Sequence, residues 1–480
     1  MKYNHALFLN PYIESSATSA MMVFPPTGLE YVATSAKDCV GRVTLLDLRY
    51  EKELSHTNKL LDFINREIDI VCVGIGWNRQ LKEIYHLLNQ IPDNIPLIVG
   101  GYTATEIVEE LFQNCLKIDV VVRGEGEETI KEIVSGVALP SISGISYRAN
   151  GRVYHNKHRP LPPVDSIASP DRTLRRNRYR LIISGVNIAN LTFDTVLSAR
   201  GCPYNCKFCT FTLNPLGQKR NYSARSAESV VNEIEGITAN VVLFSDENFA
   251  VDAKRAEEIC DLIIARKIKK RFAVQTRIEI ARYPKLLEKM VKAGFKTLLI
   301  GIESPHDRIL AQLNKGFDSK TVREYFTVLK KYPFYCHGYF IYGNITETES
   351  EMLYIAEFAK EIGVDSITFL KLRIEKFSPL REIVEETAGY HIGSNDVLYS
   401  DAYSLAALKK IGRKIKFSFY PPSRVVHILR KCFQVKFFTW GDVASLLAIM
   451  PSLFKNLIAR EIQKKRLGDS LKRTFMRNAK

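Results

Sequence analysis

Ala199-Arg200-Gly201-Cys202-Pro203-Tyr204-Asn205-Cys206-Lys207-Phe208-Cys209 sets three cysteines at the spacing C-x3-C-x2-C, with no fourth close by. Gly201 and Pro203 punctuate the run, so it reads as a loop, the form needed to wrap ligands around a metal centre. Thiolates hold iron–sulfur clusters, and a [4Fe–4S] cube has four irons to fill. Three protein ligands leave one iron open to another molecule. Zinc is the competing reading. Structural zinc takes four N or S ligands, often as two separated pairs, and here the nearest other cysteine is Cys260, with no second C-x2-C. The spacing favours the cluster and leaves zinc open.

The 480 residues accommodate about three domains. The nine cysteines are scattered apart from that loop, and Met1-Lys2-Tyr3-Asn4-His5 runs straight into a strand-like Ala6-Leu7-Phe8-Leu9. With no secretory pattern, this predicts reduced thiols in a cytoplasmic protein. The net charge of +16 is uneven: residues 401–480 hold 18 Lys and Arg against 4 Asp and Glu, and the rest is nearly neutral. An acidic partner would therefore meet the C-terminal end.

From residue 1 to about 140, Ala6–Asn10, Val43–Asp47, Ile70–Gly74, Leu97–Gly100 and Val120–Arg123 read as short buried strands. Asn58–Glu67 and Gln80–Asn89 between them have helical spacing. The alternation predicts βαβ units, a parallel sheet covered on both faces and a ligand beyond the C-terminal strand ends. Those ends carry Gly74-Ile75-Gly76-Trp77, Gly100-Gly101-Tyr102 and Arg123-Gly124-Glu125-Gly126-Glu127. No G-x-G-x-x-G follows the first strand, so a flat ligand against glycine backbone fits better than a dinucleotide. Ile142–Tyr147 and Arg152–His155 around Asn150-Gly151 predict a hairpin. The Pro- and Arg-rich stretch to Tyr179 reads as a connector, and its Arg172–Arg180 cluster more readily as solvated than as meeting a phosphate or carboxylate.

From Asp194 onward the alternation resumes. Thr195–Ser198, Val241–Asp246, Arg271–Arg277, Lys296–Glu303, Tyr335–Gly343 and Ser366–Leu372 read as strands, separated by five helical stretches from Ser226 to Ile362. Six βα repeats predict an incomplete parallel barrel with its chemistry at the C-terminal rim. The cysteine loop follows the first strand, at that rim.

The cysteine spacing, with Phe208 before the last cysteine, resembles the radical S-adenosylmethionine (SAM) superfamily. Pro25-Pro26-Thr27-Gly28-Leu29-Glu30-Tyr31, Gly100-Gly101 with Ala104-Thr105, and Val121–Glu127 resemble the cobalamin-binding domain fused to many of its members. The likeness covers about residues 1–400 and is most specific over 196–345. It implies an α/β protein with a doubly wound, Rossmann-like cobalamin-binding domain (1–140), a hairpin and linker (141–193), a partial (β/α)6 TIM barrel (194–395) and a basic helical C-terminal region (396–480). Cys202, Cys206 and Cys209 would ligate the cluster, whose fourth iron chelates the amino and carboxylate groups of SAM. Phe208 would lie near the adenine, Asp246 and Glu247 would accept from the SAM ammonium, and Gln275 and Arg277 end the third strand, where the arginine forks onto the carboxylate. Glu303 and Ser304 would lie near ribose and methionine, and Tyr342 would pack on adenine. Pro26 and Gly28 would frame the corrin, with Gly74, Gly76, Gly100, Gly101, Tyr102, Gly124 and Glu125 lining the cobalamin site.

Three departures stand out. Tyr102-Thr103 replaces the Pro-His of many relatives, and no D-x-H-x-x-G supplies a histidine to cobalt. After the sixth strand, Lys376-Phe377-Ser378-Pro379-Leu380 stands where relatives often carry Thr-Pro-x-Pro-Gly-Thr. That stretch borders the substrate, so substrate identity does not transfer.

Ala402–Ile415, Ser423–Phe433 and Asp442–Lys465 read as helices. The last joins Val443–Met450 and Leu453–Ile458 to Lys464-Lys465-Arg466; it is interrupted at Pro451 and is too short and polar to span a bilayer. A basic helix with an apolar face lies in a membrane interface or caps the barrel, and both readings stand. Nucleic acid is disfavoured, since no binding motif accompanies the charge.

The resemblance implies reductive cleavage of SAM, with an electron from reduced flavodoxin or ferredoxin, to a 5′-deoxyadenosyl radical that takes hydrogen from an unactivated C–H bond. With cobalamin, it implies methylation of an sp3 carbon in a lipophilic or anionic substrate. Ring formation or rearrangement without methyl transfer is the alternative, and a non-catalytic metal-binding protein is the alternative of another class. No acid–base residue is visible: Tyr102, Tyr342 and Lys371 qualify by position only and read more readily as structural.

Overall fold

The computed structural model describes residues 2–13, 24–51, 53–183, 186–209, 214–393 and 396–442, with Ala444, Ala448 and Pro451, and within 181–190 the backbone alone. The expected helix from Asp442 to Lys465 therefore lies outside the described residues but for those few positions.

Seven strands build the first sheet: β1 (His5–Asn10), β2 (Arg42–Asp47), β3 (Ile70–Gly74), β4 (Leu97–Gly100), β5 (Val120–Val122), β6 (Ile145–Ala149) and β7 (Arg152–His155). Their order is β2-β1-β3-β4-β5-β6-β7. The first five run parallel, and the hairpin β6–β7 adds antiparallel to β5. Strands so uniformly apolar demand cover on both faces. Leu7, Leu9, Val71, Val73 and Val99 pack with Leu60 and Ile64 of α2 (Thr57–Glu67) and Ile84 and Leu88 of α3 (Leu81–Leu88). Ala6, Phe8, Ile70, Cys72 and Ile98 pack on the other side with Ala33 of a preceding helix, Thr27–Ala36 (α1), and Ile130 and Ile133 of Glu127–Val134. The strand order reverses at β1, so a crevice opens beyond the C-terminal ends of β1 and β3.

The second sheet holds β8 (Arg180–Ile183), β9 (Val186–Val196), then, beyond a two-stranded ribbon of β10 (Ala199–Arg200) and β11 (Ser223–Ala224), β12 (Val241–Phe244), β13 (Arg271–Arg277), β14 (Phe295–Glu303), β15 (Tyr335–Tyr342) and β16 (Ser366–Lys371). The order is β16-β15-β14-β13-β12-β9-β8, with six parallel strands and β8 antiparallel at the edge. β16 and β9 lie at opposite sides of the sheet, so the barrel is open. Its outer face is covered by helices Ala227–Gly236, Ala253–Ala265, Pro284–Ala293, Ser319–Leu329 and Glu349–Ile362 around one large core. Of the C-terminal helices, Leu405–Phe419 belongs to this core through Leu408, Ile411, Ile415 and Phe419.

The connector is not solvated where it matters. Arg175 forks onto Asp194 of β9 at 2.7 and 2.9 Å and also binds Glu30 of α1 through both carboxylate oxygens, one at 2.7 Å. Arg172 bridges Asp194 at 3.0 Å and Glu233 at 2.6 Å, and Glu233 also binds Arg225. These side chains are nearly all buried. Burial alone would raise the Asp194 carboxyl, but Arg175 and Arg172 hold it below the usual range. The arginine cluster thus meets carboxylates, those of this chain, and bolts α1 to the barrel. Removing one partner strands buried charge. Arg175→Ala is expected to cost about 3–5 kcal/mol, read as a lower Tm by anaerobic calorimetry, and Arg175→Lys, which has no fork, to recover only part.

Candidate active site

The cysteine loop is gripped from four sides. At its start, the Asp246 carboxylate accepts from Ser198 N at 2.7 Å, Ala199 N at 3.1 Å and the Ser198 hydroxyl, with Arg255 alongside at 4.0 Å. Glu247 accepts from Gly201 N at 3.1 Å. Gly201 has φ +85°, and a Cβ there would stand 2.5 Å from Asn221 O, so only glycine fits. Further along, Lys207 N donates to Leu313 O at 3.1 Å, Asn314 Nδ2 to Asn205 O at 2.8 Å, and Ser378 Oγ to Lys207 O at 2.6 Å.

The three cysteines are partly exposed. Cys206 Sγ accepts from Arg277 Nη1 at 3.4 Å.

Several expected SAM contacts are placed differently. Asp246 is 1 % exposed, and its oxygens are taken up by the loop's own backbone and hydroxyl, so it orients the loop rather than meeting an ammonium. Arg277 is forked onto Glu279 at 2.8 and 3.1 Å, donates to Lys315 O and lies 3.9 Å over the Tyr204 ring. It faces the cysteine loop with its carboxylate partner already supplied. Ser304 Oγ accepts from His306 N at 3.2 Å, turning toward its own loop. Tyr342 points to the helical side, its ring against Phe369 and its hydroxyl against Gly412. The reason is parity: successive strand residues alternate faces, and Cys336, Gly338, Phe340 and Tyr342 share the outer one. Ile341 instead joins the apolar group that touches Phe208.

Gln275, Glu247 and Glu303 also lie at the rim. Gln275 is partly exposed on the inner face of β13. Glu247 lines the large cavity described below, and burial pushes its carboxyl up to about 7. Glu303, held at φ +72°, pairs with the buried Lys315 at 3.1 Å. Lys315 also stands over Phe208 and Phe317, at 5.8 and 5.3 Å from the ring centroids. Nothing in the local sequence marked this lysine, since it lies in a loop after a short helix.

A cavity of about 1040 Å3 opens at the switch point of the first sheet, the upper end of the range for small-molecule pockets. Pro26, Gly28, Gly74, Gly76, Gly100, Gly101, Tyr102, Gly124 and Glu125 all line it. So do Leu197, Arg200, Ser245 and Glu247 from the barrel rim. Two observations fit a large polar-edged ligand such as cobalamin. The Tyr31 hydroxyl and Glu127 Oε2 are buried in this wall with no hydrogen-bond partner among the described residues. A Cβ on Gly28 or Gly76 would meet nothing within 4 Å, so these glycines leave room. Gly101 has φ +110°, and a Cβ there would stand 2.6 Å from Ile75 O. A second cavity of about 250 Å3 is lined by Cys206, Phe208, Cys209 and Lys376–Pro379. Tyr102 lines both.

Inside the half-barrel sit two residues that the sequence reading passed over, His337 and Tyr339, their rings 4.9 Å apart. His337 contacts Ser366 Oγ at 2.7 Å and Thr368 Oγ1 at 3.0 Å, and burial lowers its pKa to about 4. Strand alternation carried the signal for both. Because the folded His337 resists a proton that the unfolded chain accepts near 6.5, stability is full above pH 6.5 and falls as pH drops toward 4. The loss is expected to reach about 3 kcal/mol, read by denaturant titration across that range, and His337→Gln flattens the dependence.

Residues 196–359 match the Radical SAM superfamily and residues 17–134 the B12 binding domain. The chain is 28% identical over 382 residues to an uncharacterized methyltransferase of Pyrococcus horikoshii, covering 77% of this chain and 80% of that one. It is 24% identical over 390 residues to the anaerobic magnesium-protoporphyrin IX monomethyl ester cyclase of Rubrivivax gelatinosus, covering 78% and 69%. Among solved structures, the radical SAM methyltransferase TsrM of Kitasatospora setae, with cobalamin and a [4Fe-4S] cluster bound, shares the fold at a TM-score of 0.69 and 15% identity, covering 88% of this chain and 90% of that one.

Proposed function

Because the chain belongs to the radical SAM superfamily, with a B12-binding domain ahead of its barrel, we propose that it methylates an unactivated carbon of a lipophilic or anionic small molecule. When bound, a [4Fe–4S] cluster with SAM supplies a radical that removes hydrogen, and cobalamin supplies the methyl group. Cys202, Cys206 and Cys209 would hold the cluster, with Arg277 donating to the Cys206 sulfur. Asp246 and Glu247 fix the backbone that presents Cys202. Phe208, Ile341, Gln275 and Glu303 would border SAM. Pro26, Gly28, Gly74, Gly76, Gly100, Gly101, Gly124 and Glu125 would cradle the corrin, with the Tyr31 hydroxyl and Glu127 as ready polar partners.

The observation that carries this reading is the shared cavity, in which the glycine-bearing strand ends of one sheet and the barrel rim beside the cysteine loop face a common space. Tyr102, at the meeting of both cavities, stands between the compartments. Reduced flavodoxin or ferredoxin is the proposed electron donor. The setting is cytoplasmic, with the basic C-terminal region in peripheral contact with the inner membrane face. Ring closure without methyl transfer is the second reading, motivated by the likeness to the Rubrivivax cyclase.

Anaerobic reconstitution with iron, sulfide and hydroxocobalamin tests both sites at once by absorbance. Cys202→Ser is expected to lose the iron–sulfur band and keep the corrin; Gly101→Ala is expected to do the opposite. Under dithionite and SAM, with extracted candidate substrates, S-adenosylhomocysteine appearing together with 5′-deoxyadenosine supports methyl transfer. 5′-Deoxyadenosine alone favours the cyclase, and neither product refutes both.

A further inference from the structure

Helix Pro422–Gln434 leaves an apolar stripe exposed. A surface helix of a globular protein buries its apolar stripe. Here Arg424 points inward, to Val364 O and over the Phe419 ring, and Cys432 is the one buried residue of the helix. Val425, Val426 and Leu429 are 47 %, 47 % and 50 % exposed, and Phe433 completes the stripe at the i+4 spacing. Phe433 touches Trp440, ring centroids 5.8 Å apart, and Trp440 is 83 % exposed. The patch is therefore continuous along one face, unlike the scattered apolar residues of any surface.

The helix, the residues that follow it and the helix before it are rich in cations. Lys409, Lys410, Arg413, Lys416, Arg430 and Lys436 form no ion pair among the described residues. A second copy of this face would bring like charges together. Residues 443–480 add nine Lys and Arg against two Asp and Glu, so they too would meet like charge there. An apolar stripe with an aromatic neighbour and a cationic surround is complementary to an anionic bilayer, which offers acyl chains beneath negative headgroups.

We propose that the Val425–Leu429–Phe433 face, with Trp440, docks this protein on an anionic lipid surface. It deepens the membrane contact proposed above and is separable from the chemistry. Helix Leu405–Phe419 packs on the barrel and immediately precedes the docked helix, joined to it where Arg424 lies over the Phe419 ring, so the enzyme would lie against the headgroups as one body. No helix among the described residues is long and apolar enough to cross a membrane, and docking on the surface requires none.

The test uses full-length protein, wild type and the variants Val425→Glu and Leu429→Glu, both at sites exposed enough to leave the core intact. Vesicles of phosphatidylcholine, with and without phosphatidylglycerol, are sedimented with each. Wild type is expected to bind the phosphatidylglycerol vesicles, less so in high salt, and each variant to partition about tenfold or more weakly. Absence of binding by wild type, or equal binding by the variants, overturns the proposal. So does a change of oligomeric state in the variants, by light scattering, with vesicle binding unchanged. SAM cleavage without vesicles is expected to be equal in all three proteins, so failure of the docking leaves the proposed reaction standing.

Discussion

Two arginines in the connector hold this molecule in its working shape. Arg175 is shared between Glu30 of the first domain and Asp194 of the second, and Arg172 extends the link to Glu233. Burying so many charges is costly unless each is paired and hydrogen-bonded, and here geometry meets that condition. The direct contact between Thr27 and Thr195 hydroxyls, at 2.6 Å, marks how closely the two sheets approach. That approach lets the glycine-bearing ends of β3 and β4 face the rim beside β9 and β12. Separate the sheets, and the large cavity loses a wall.

A second tier of charge works nearer the cysteine loop. Glu125 receives Arg200 at 2.9 Å and Arg220 at 2.5 Å, and Glu127 receives Arg200 at 2.5 Å. Arg200 lies two positions before Cys202, so the loop that lines the first domain's cavity is tied directly to the cysteine segment. The pocket wall and the cysteine loop share their supports.

The alternation of strands and helices was legible because both sheets are parallel and buried on both faces, which writes uninterrupted apolar runs into the sequence. Glycine at the strand ends was legible for the same reason that Gly101 is needed: backbone approaches backbone there. What could not be read was the direction of side chains at the rim. Asp246 was expected at the ligand and instead anchors Ser198 and Ala199; a carboxylate beside free amides serves either purpose, and only the loop's path decides. Tyr342 and Ile341 differ by one register step, which exchanges core for site. The connector's arginines seemed solvent-bound because their partners, Glu30, Asp194 and Glu233, are far away in sequence. Lys315 is hidden likewise, defined by Phe208 and Glu303 rather than by neighbours along the chain.

The interdomain network has a consequence for how this sequence drifts over generations. Asp194 serves two arginines, Glu233 serves Arg172 and Arg225, and Arg175 serves two acids. No member can be replaced alone without leaving an uncompensated partner, and the effects of replacements within such a web do not add. Descendants of this chain will therefore keep the six-residue set whole or exchange it in concert, and an apolar version would need several coordinated changes at once. The seam between the halves is, in that sense, among the slowest-changing parts of the molecule, although most of it is buried.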